Sequence, residues 1–143
     1  MIRKMQNPDI NRIADIWLKT NLKAHDFIPE QYWTSNYELV KEMMSQAEVY
    51  VYEDDKMIQG FIGINDEYIE GIFVSDEMQS RGIGKILLDY IKDKKDRLQL
   101  KVYQKNVRAM SFYQREGFTI QSEEMDEFTR EKEYVMNWES SGI

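Results

Sequence analysis

The amino-acid sequence predicts an α/β protein in which helices cover a mixed β-sheet. Some stretches repeat apolar residues at helical spacing, others alternate apolar and polar residues, and turn-forming residues separate them. The predicted order is a strand, two helices, three strands, a helix, a strand, a helix and two strands, about four helices in all. The chain has 143 residues without repeat or linker, so we expect a single domain over residues 1–143.

The N-terminal third is predicted to hold a strand and two helices. Residues from Ile2 to Met5 indicate a short strand, after which Asn7 can cap a helix with Pro8 at its first position. Pro29 can open the second helix. The apolar positions that predict the two helices are Ile10, Ile13, Ala14, Trp17 and Leu18, and then Trp33, Tyr37, Val40, Met43 and Met44.

The middle of the chain changes to the two-residue period of strands. Residues 49–52 and 57–64 indicate two strands joined by a turn at 54–56, and residues 68–74 indicate a third strand. Residues 84–94 place their apolar side chains on one face and predict an amphipathic helix.

The C-terminal part is predicted to be strand, helix and two strands. Residues 98–102 alternate apolar and polar side chains. Asn106 is a candidate N-cap of the next helix, which Gly117 closes in the left-handed conformation. Residues 118–120 and 134–138 then indicate the last two strands.

Composition excludes several kinds of protein. Without cysteine the chain can form no disulfide framework, thiolate zinc site or cysteine nucleophile. The formal charge of -7 argues against a nucleic-acid or anionic-membrane partner. The sequence has no secretory signal pattern and no apolar run of about 18 residues, so we expect a cytoplasmic protein. His25, the only histidine, lacks acidic or cysteine partners at ligand spacing, so we expect no metal site.

The strongest functional signal is a glycine-bearing turn between a strand and a helix. After the strand end at 72–74, residues 79–84 read Gln-Ser-Arg-Gly-Ile-Gly. Such a turn leaves backbone N–H groups unpaired at the positive end of a helix dipole, where a phosphate can bind and Arg81 could contact it. A Cβ at Gly82 is expected to find no room. A Gly-x-Gly that merely starts a helix is about as common, and the P-loop and dinucleotide patterns do not match, the latter because Leu87 replaces its third glycine.

Residues 79–84 resemble the Gln/Arg-x-x-Gly-x-Gly/Ala signature of the Gcn5-related N-acetyltransferase (GNAT) family. Residues 106–118, Asn-Val-Arg-Ala-Met-Ser-Phe-Tyr-Gln-Arg-Glu-Gly-Phe, are similar to that family's Asn-x-x-Ala-x-x-Phe-Tyr-x-x-x-Gly-Phe segment. The resemblance implies a mostly antiparallel seven-stranded sheet that splays between its fourth and fifth strands to admit the pantetheine arm. It also implies an enzyme that transfers the acetyl group of acetyl-CoA to a primary amine by direct attack in a ternary complex.

The resemblance implies a cofactor site for acetyl-CoA. The backbone at Ile72 and Val74 would bind the pantetheine amides as an added strand would, and the amides of residues 79–84 would hold the pyrophosphate. Lys85 could add positive charge or simply face solvent. The predicted cofactor contacts are Ile72, Phe73, Val74, Gln79, Ser80, Arg81, Gly82, Ile83, Gly84, Lys85, Asn106, Ala109, Phe112 and Tyr113.

The second motif places three of these residues on one helix face. Asn106, Ala109 and Tyr113 are separated by three and four residues. Ala109 would leave room for the cofactor, Asn106 would offer an amide, and Tyr113 would bring its phenol near the thioester sulfur. Phe112 is interpreted as an aromatic that closes the helix on the sheet. By the resemblance, Tyr113 is the general acid that protonates the leaving thiolate.

Glu70 is the candidate general base that accepts the proton of the amine. It precedes Gly71, and a glycine within a strand often marks a bulge. Without a bulge Glu70 shares a face with Ile72 and Val74, and with a bulge it turns away from them. A water relay and a purely structural Glu70 both remain open. A backbone N–H near Val74 could hold the thioester carbonyl.

The acceptor site is predicted between the early helices and the sheet. Its candidate residues are His25, Phe27, Tyr32 and Trp33, in a loop similar to that of one group of small bacterial GNAT proteins. His25 could instead be a packed, hydrogen-bonded loop histidine. Variable loops decide the acceptor, so small-molecule and peptide amines both stay open, for a monomer or a homodimer.

Two rival functions share the predicted fold. One is a non-catalytic acetyl-CoA-binding sensor or interaction domain, which the phenol of Tyr113 argues against. The other is a toxin that acetylates aminoacyl-tRNA, which the charge of -7 argues against because the RNA backbone favours a basic surface. The sequence therefore favours an amine acetyltransferase.

Overall fold

A computed structural model describes residues 1–140. The strands are β1 (Ile2–Lys4), β2 (Glu48–Asp54), β3 (Met57–Asn65), β4 (Tyr68–Val74), β5 (Arg97–Tyr103), β6 (Thr119–Met125) and β7 (Lys132–Glu139). The α-helices are α1 (Ile10–Ala24), α2 (Glu30–Ser35), α3 (Tyr37–Gln46), α4 (Ile83–Lys92) and α5 (Val107–Arg115). Short 3₁₀ turns cover Asn7–Asp9 and Asp76–Met78.

The seven strands form one sheet in the order β1-β2-β3-β4-β5-β7-β6. All neighbouring strands are antiparallel except β4 and β5, which run parallel and share a single aligned pair, Tyr68 with Gln99. Near that pair the Gln99 N–H donates to the Glu67 carbonyl at 2.9 Å. From there toward Val74 the two strands separate, which confirms the predicted splay between the fourth and fifth strands.

The helices pack on both faces of the sheet and create two cores. Alternate residues of β3 divide between them, because Phe61 packs with Ile13 and Ile16 of α1, whereas Ile62 packs with Leu87 of α4. Burial of each such side chain contributes roughly 1.5–3 kcal/mol. Within residues 1–140, no helix combines the length and the apolar content that crossing a membrane requires.

Local turn chemistry explains how several elements begin and end. The turn between β2 and β3 places Asp55 (φ 50°) and Lys56 (φ 63°) in the left-handed region, as a tight hairpin requires. The Asn106 side chain accepts a hydrogen bond from the Ala109 N–H at 3.1 Å and so caps α5. Gly117 follows α5 with φ 94°. The predicted hairpin, N-cap and closing glycine are confirmed.

Two details of the predicted N-terminal third are wrong. The predicted second helix is two helices, because the Asn36 side chain donates to the Tyr32 carbonyl at 2.6 Å and ends α2 before α3 begins. Residues 1–140 therefore hold five α-helices rather than about four. Asn7 lies inside the first 3₁₀ turn instead of capping α1, and the Asp9 carboxylate accepts a hydrogen bond from the Gln6 N–H at 2.8 Å.

Candidate active site

A cleft of about 1110 Å³ opens where β4 and β5 separate. The end of α1, the edge of β4, the turn before α4 and the N-terminal part of α5 line it. The predicted site residues in this lining are Ile72, Phe73, Val74, Gln79, Ser80, Gly82, Ile83, Gly84, Lys85, Asn106, Ala109, Phe112, Tyr113 and His25. The predicted site residues outside it are Arg81, Glu70, Phe27, Tyr32 and Trp33. The fold thus brings nearly the whole predicted cofactor set to one cleft.

The turn before α4 presents a row of unpaired backbone donors. The first hydrogen bond of α4 joins the Ile86 N–H to the Gly82 carbonyl at 3.0 Å. Within residues 1–140, the six N–H groups from Ser80 to Lys85 have no acceptor. Ser80 (φ 66°) and Gly82 (φ 82°) are both left-handed, which curls this segment at the positive end of α4. Such a concavity of N–H groups fits a phosphate or pyrophosphate.

The expectation that a Cβ on Gly82 would find no room in the protein is wrong. A Cβ at this position would meet no atom of residues 1–140 within 4 Å. The requirement for glycine comes from the backbone, because φ 82° is a conformation that residues with a Cβ rarely adopt. Gly82 also lines the cleft, so a side chain here would occupy ligand space rather than protein space.

The edge of β4 that faces the cleft is free to pair with a ligand. The Ser75 N–H donates to the Gln59 carbonyl at 2.8 Å, which sets the phase of the antiparallel ladder with β3. By that alternation Phe73 bonds to β3, whereas the backbone groups of Ile72 and Val74 point to the open side. The Gln79 side chain already donates to the Val74 carbonyl at 3.2 Å. An extended chain carrying amides could bind along this edge.

Arg108 belongs to this region, although no motif in the sequence indicates it. Its guanidinium donates to Gln79 Oε1 at 2.8 Å and to Ser80 Oγ at 3.0 Å, so α5 braces the turn. It occupies a variable position of the second motif, and only its position across the cleft from the turn reveals the contact. Lys85 also lines the cleft, and its ammonium group forms an ion pair with Glu116 at 3.0 Å.

Tyr113 combines burial with a free hydroxyl. Its ring packs against Phe112 and Phe118 at centroid distances of 5.3 and 5.6 Å, and only 8% of the residue is exposed. Its hydroxyl forms no hydrogen bond within residues 1–140, and the residue lines the cleft. Burial, with a smaller contribution from Tyr68, raises the pKa of Tyr113. The phenol therefore stays protonated at neutral pH and can act as a donor.

A bulge in β4 determines where Glu70 points. Gly63 of β3 pairs with Gly71 and Ile64 pairs with Ile69, so Glu70 is the extra residue. Ile69 packs in the same core as Ile64, and a Cβ on Gly63 would approach Glu70 Cβ to 3.7 Å on the opposite face. Glu70 therefore turns away from the face of β4 that packs against α4. Burial raises the pKa of Glu70, which makes this carboxylate a better base.

The predicted acceptor residues form one aromatic cluster beside the cleft. Trp33 stacks on His25 at 5.5 Å, and Tyr32 packs edge-on against Trp33 at 4.9 Å. Phe27 packs against His25 at 5.6 Å and against Tyr103 at 5.7 Å. Tyr103 was not predicted, because it reaches the cluster from β5. Its hydroxyl donates to Asp126 at 2.7 Å, and burial raises its pKa.

These features together define a class of protein. The unpaired N–H groups of the turn suit a pyrophosphate, and the free edge of β4 suits an amide-bearing arm. The Tyr113 hydroxyl lies in the same cleft and can donate to a leaving group. Such a cleft is what an acyltransferase that uses coenzyme A requires.

Comparisons with known proteins identify the family. Residues 22–130 match the family model described as acetyltransferase (GNAT) domain, so the chain belongs to the GNAT family. It is 34% identical to the peptidyl-lysine N-acetyltransferase YiaC of Escherichia coli over 96% of both chains, and 24% identical to YjaB of E. coli over 83% of this chain and 82% of that one. The solution structure of apo-form YjaB from E. coli superposes with a TM-score of 0.86 at 20% identity, covering 96% of each chain. The protein is an N-acetyltransferase that takes its acetyl group from acetyl-CoA.

Proposed function

We propose that the acceptor is the side chain of a lysine in a protein or peptide, and that residues 1–143 act as one catalytic domain. The observation that carries the proposal is the similarity to YiaC, whose name specifies that acceptor. The similarity spans 96% of this chain, so it includes the acceptor loop from His25 to Trp33 as well as the cofactor motifs. The acceptor side of the cleft therefore has support independent of the turn before α4.

An open face of the sheet supports a macromolecular acceptor. Along β5, Gln99 and Lys101 are exposed while Leu98 and Leu100 are buried, so one face of this strand meets solvent. The same face ends at Tyr103, whose ring contacts Phe27 of the acceptor cluster. An extended peptide on this face could direct a lysine side chain toward the cleft.

The cofactor side is assigned to the backbone of the turn and of β4. When bound, acetyl-CoA supplies an activated thioester that a neutral amine can attack directly in a ternary complex. The N–H groups from Ser80 to Lys85 would hold its pyrophosphate, and the open edge at Ile72 and Val74 would pair with its pantetheine amides. The Val74 N–H is also the backbone donor that could stabilise negative charge on the carbonyl oxygen.

Tyr113 is assigned as the general acid. Its raised pKa keeps the hydroxyl protonated, so it donates a hydrogen bond to the departing sulfur through the neutral range. A free thiol has a pKa of about 8.5, below that of a buried phenol, so complete proton transfer is less favourable than hydrogen bonding. The main contribution of Tyr113 is then stabilisation of charge on sulfur as the bond breaks.

Glu70 is assigned as the general base, acting directly or through water. A lysine amine has a pKa of about 10.4, so only about one in 2,500 is neutral at pH 7 and proton removal assists the reaction. The bulge turns Glu70 to the face of β4 opposite the α4 core, and burial raises its pKa. Glu70→Gln keeps the shape of the side chain and removes its basicity.

The test is release of thiol from acetyl-CoA with three acceptor peptides of one length. The first has blocked termini and one lysine, the second has arginine in its place, and the third has a free N-terminus without lysine. We expect transfer to the first to be at least about tenfold faster than to the others. Faster transfer to the free N-terminus, or to a polyamine, would contradict the lysine assignment. Acetyl-CoA binding without transfer to any of the three peptides would also contradict the lysine assignment.

A further inference from the structure

A continuous chain of hydrogen bonds joins the end of α1 to the start of α5. His25 Nδ1 lies 2.9 Å from Asn21 Oδ1, and His25 Nε2 lies 3.0 Å from Asn106 Nδ2. Asn21 is 4% exposed, and Asn106 is the residue that caps α5. Both nitrogens of the imidazole are therefore occupied by side chains of the protein itself.

The outer bonds of the chain determine which atom donates at each step. Asn21 Nδ2 donates to the Trp17 carbonyl at 2.9 Å, so its Oδ1 faces His25 as an acceptor. Asn106 Oδ1 accepts from the Ala109 N–H at 3.1 Å, so its Nδ2 faces His25 as a donor. His25 must then carry its proton on Nδ1 and accept at Nε2. One neutral tautomer satisfies every group in the chain.

Aromatic packing holds the imidazole in this orientation. Trp33 stacks on it at an interplanar angle of 27°, while Tyr103 and Phe27 pack edge-on at 5.0 and 5.6 Å. Those three rings belong to the acceptor cluster, whereas Asn106 and Ala109 belong to the cofactor side. His25 is the residue in which the two sides of the cleft meet.

We propose that His25 is a positioning residue that acts through Asn106 to hold the N-terminal end of α5, and with it Tyr113, in register with the acceptor loop. The proposal rests on the assignment of Tyr113 as general acid. Displacement of a catalytic group by about 1 Å can lower a rate by about a hundredfold, so one hydrogen bond at the start of α5 is enough to matter. In this role His25 touches neither reacting group and contributes through geometry.

The hydrogen bonds from Asn21 to Asn106 also predict that His25 resists protonation. A proton on Nε2 would face the Asn106 amide, and two donors would then oppose each other. Burial lowers the pKa of His25 to about 4, against a smaller opposite effect from Asp26. The titratable groups that act on the imidazole or contact it are Asp26 and Tyr103. One contact further away, Tyr32 packs on Trp33, Asp126 accepts from the Tyr103 hydroxyl, and Lys105 lies over Phe27.

Nitrogen-15 NMR of the free protein tests the geometry without catalysis. Because the chain contains one histidine, the imidazole signals belong to His25 alone. We expect the neutral Nδ1–H tautomer from pH 5.5 to 8 in the wild type. In Asn106→Asp, which preserves the cap, the new carboxylate can accept from Nε2–H, so the pKa of His25 should rise toward neutrality. An Nε2–H tautomer, or ordinary titration near pH 6.5 in the wild type, would overturn the proposal.

Kinetics then test the coupling. Asn106→Ser keeps a capping hydroxyl but removes the amide that donates to His25. We expect His25→Leu and Asn106→Ser each to lower kcat about 10- to 100-fold. The kcat of the double variant should be no lower than that of the less active single variant. Independent effects that multiply would assign His25 a separate role, such as substrate contact, and would refute the proposal. Asp26→Asn changes a neighbour of His25 that makes none of these hydrogen bonds, so it should keep kcat within about twofold.

The NMR titration and the kinetic cycle distinguish the proposal on His25 from the lysine assignment. If another amine is the better acceptor, the kinetic cycle is measured with that amine and the coupling should persist. If Tyr113 proves not to be the general acid, the NMR titration still reports the tautomer of His25. The coupling between His25→Leu and Asn106→Ser in kcat should then vanish. Thermal unfolding of each variant is measured alongside, and if His25→Leu fails to fold, Asn106→Ser and the NMR titration decide the result.

Discussion

The proposed cofactor side and the proposed acceptor side of the cleft are built from different parts of the chain. The turn before α4 offers six successive backbone N–H groups, and β4 offers a free edge, so most of the donors proposed for the cofactor are main-chain atoms. The acceptor side consists of side chains, the rings of His25, Phe27, Tyr32, Trp33 and Tyr103.

This difference explains what each side can vary. A backbone site depends on conformation, so it tolerates many side chains but needs specific φ angles at positions such as Gly82. A side-chain site depends on identity, so each substitution changes what it binds. One side can therefore keep a common cofactor while the other side changes its acceptor.

The largest effect is expected at Tyr113, which lines the cleft from α5. Tyr113→Phe keeps the packing of the ring against Phe112 and Phe118 and removes only the hydroxyl, so we expect kcat to fall by about a hundredfold or more. Acetyl-CoA affinity and folding should stay near normal, as calorimetry and circular dichroism would report. Because a thiolate is already a good leaving group, the loss should lie at the lower end of the range expected for a general acid. Nearly full kcat when chemistry limits turnover would make Tyr113 a packing residue.

A smaller effect is expected at the backbone site. Gly82→Val introduces a side chain into the cleft at φ 82°, so acetyl-CoA affinity measured by calorimetry should fall by about tenfold or more. Gly117→Ala is the matched control, because Gly117 is also left-handed at φ 94° but does not line the cleft. It should lower stability without lowering acetyl-CoA affinity. Normal affinity in a folded Gly82→Val protein would refute the phosphate assignment.

The smallest effect is expected on the acceptor side. Trp33→Phe keeps an aromatic ring on His25 and removes a buried indole N–H that has no partner within residues 1–140. We expect the KM for the lysine peptide to rise by about threefold or more with acetyl-CoA affinity unchanged. An unchanged KM, or a loss confined to acetyl-CoA affinity, would place Trp33 outside the acceptor site.

The sequence by itself was sufficient for features made of near neighbours along the chain. The hairpin between β2 and β3, the Asn106 cap and the closing Gly117 each depend on residues a few positions apart, and their patterns predicted them correctly. The splay of the sheet was predicted from the resemblance of two motifs to those of the GNAT family, and the single aligned pair between β4 and β5 confirms it. The break at Asn36 was missed because a side-chain bond to the Tyr32 carbonyl outweighed an uninterrupted helical pattern.

Only the tertiary structure decided which distant side chains meet. Arg108 reaches Ser80 across the cleft, and Tyr103 joins Phe27 because β5 diverges from β4 beside the acceptor loop. His25 and Asn106 are 81 positions apart, and neither residue type indicates the other. The physical reason is that periodicity and capping act over one or two turns of chain, whereas contacts across the sheet depend on which distant strands become neighbours, which no local pattern encodes.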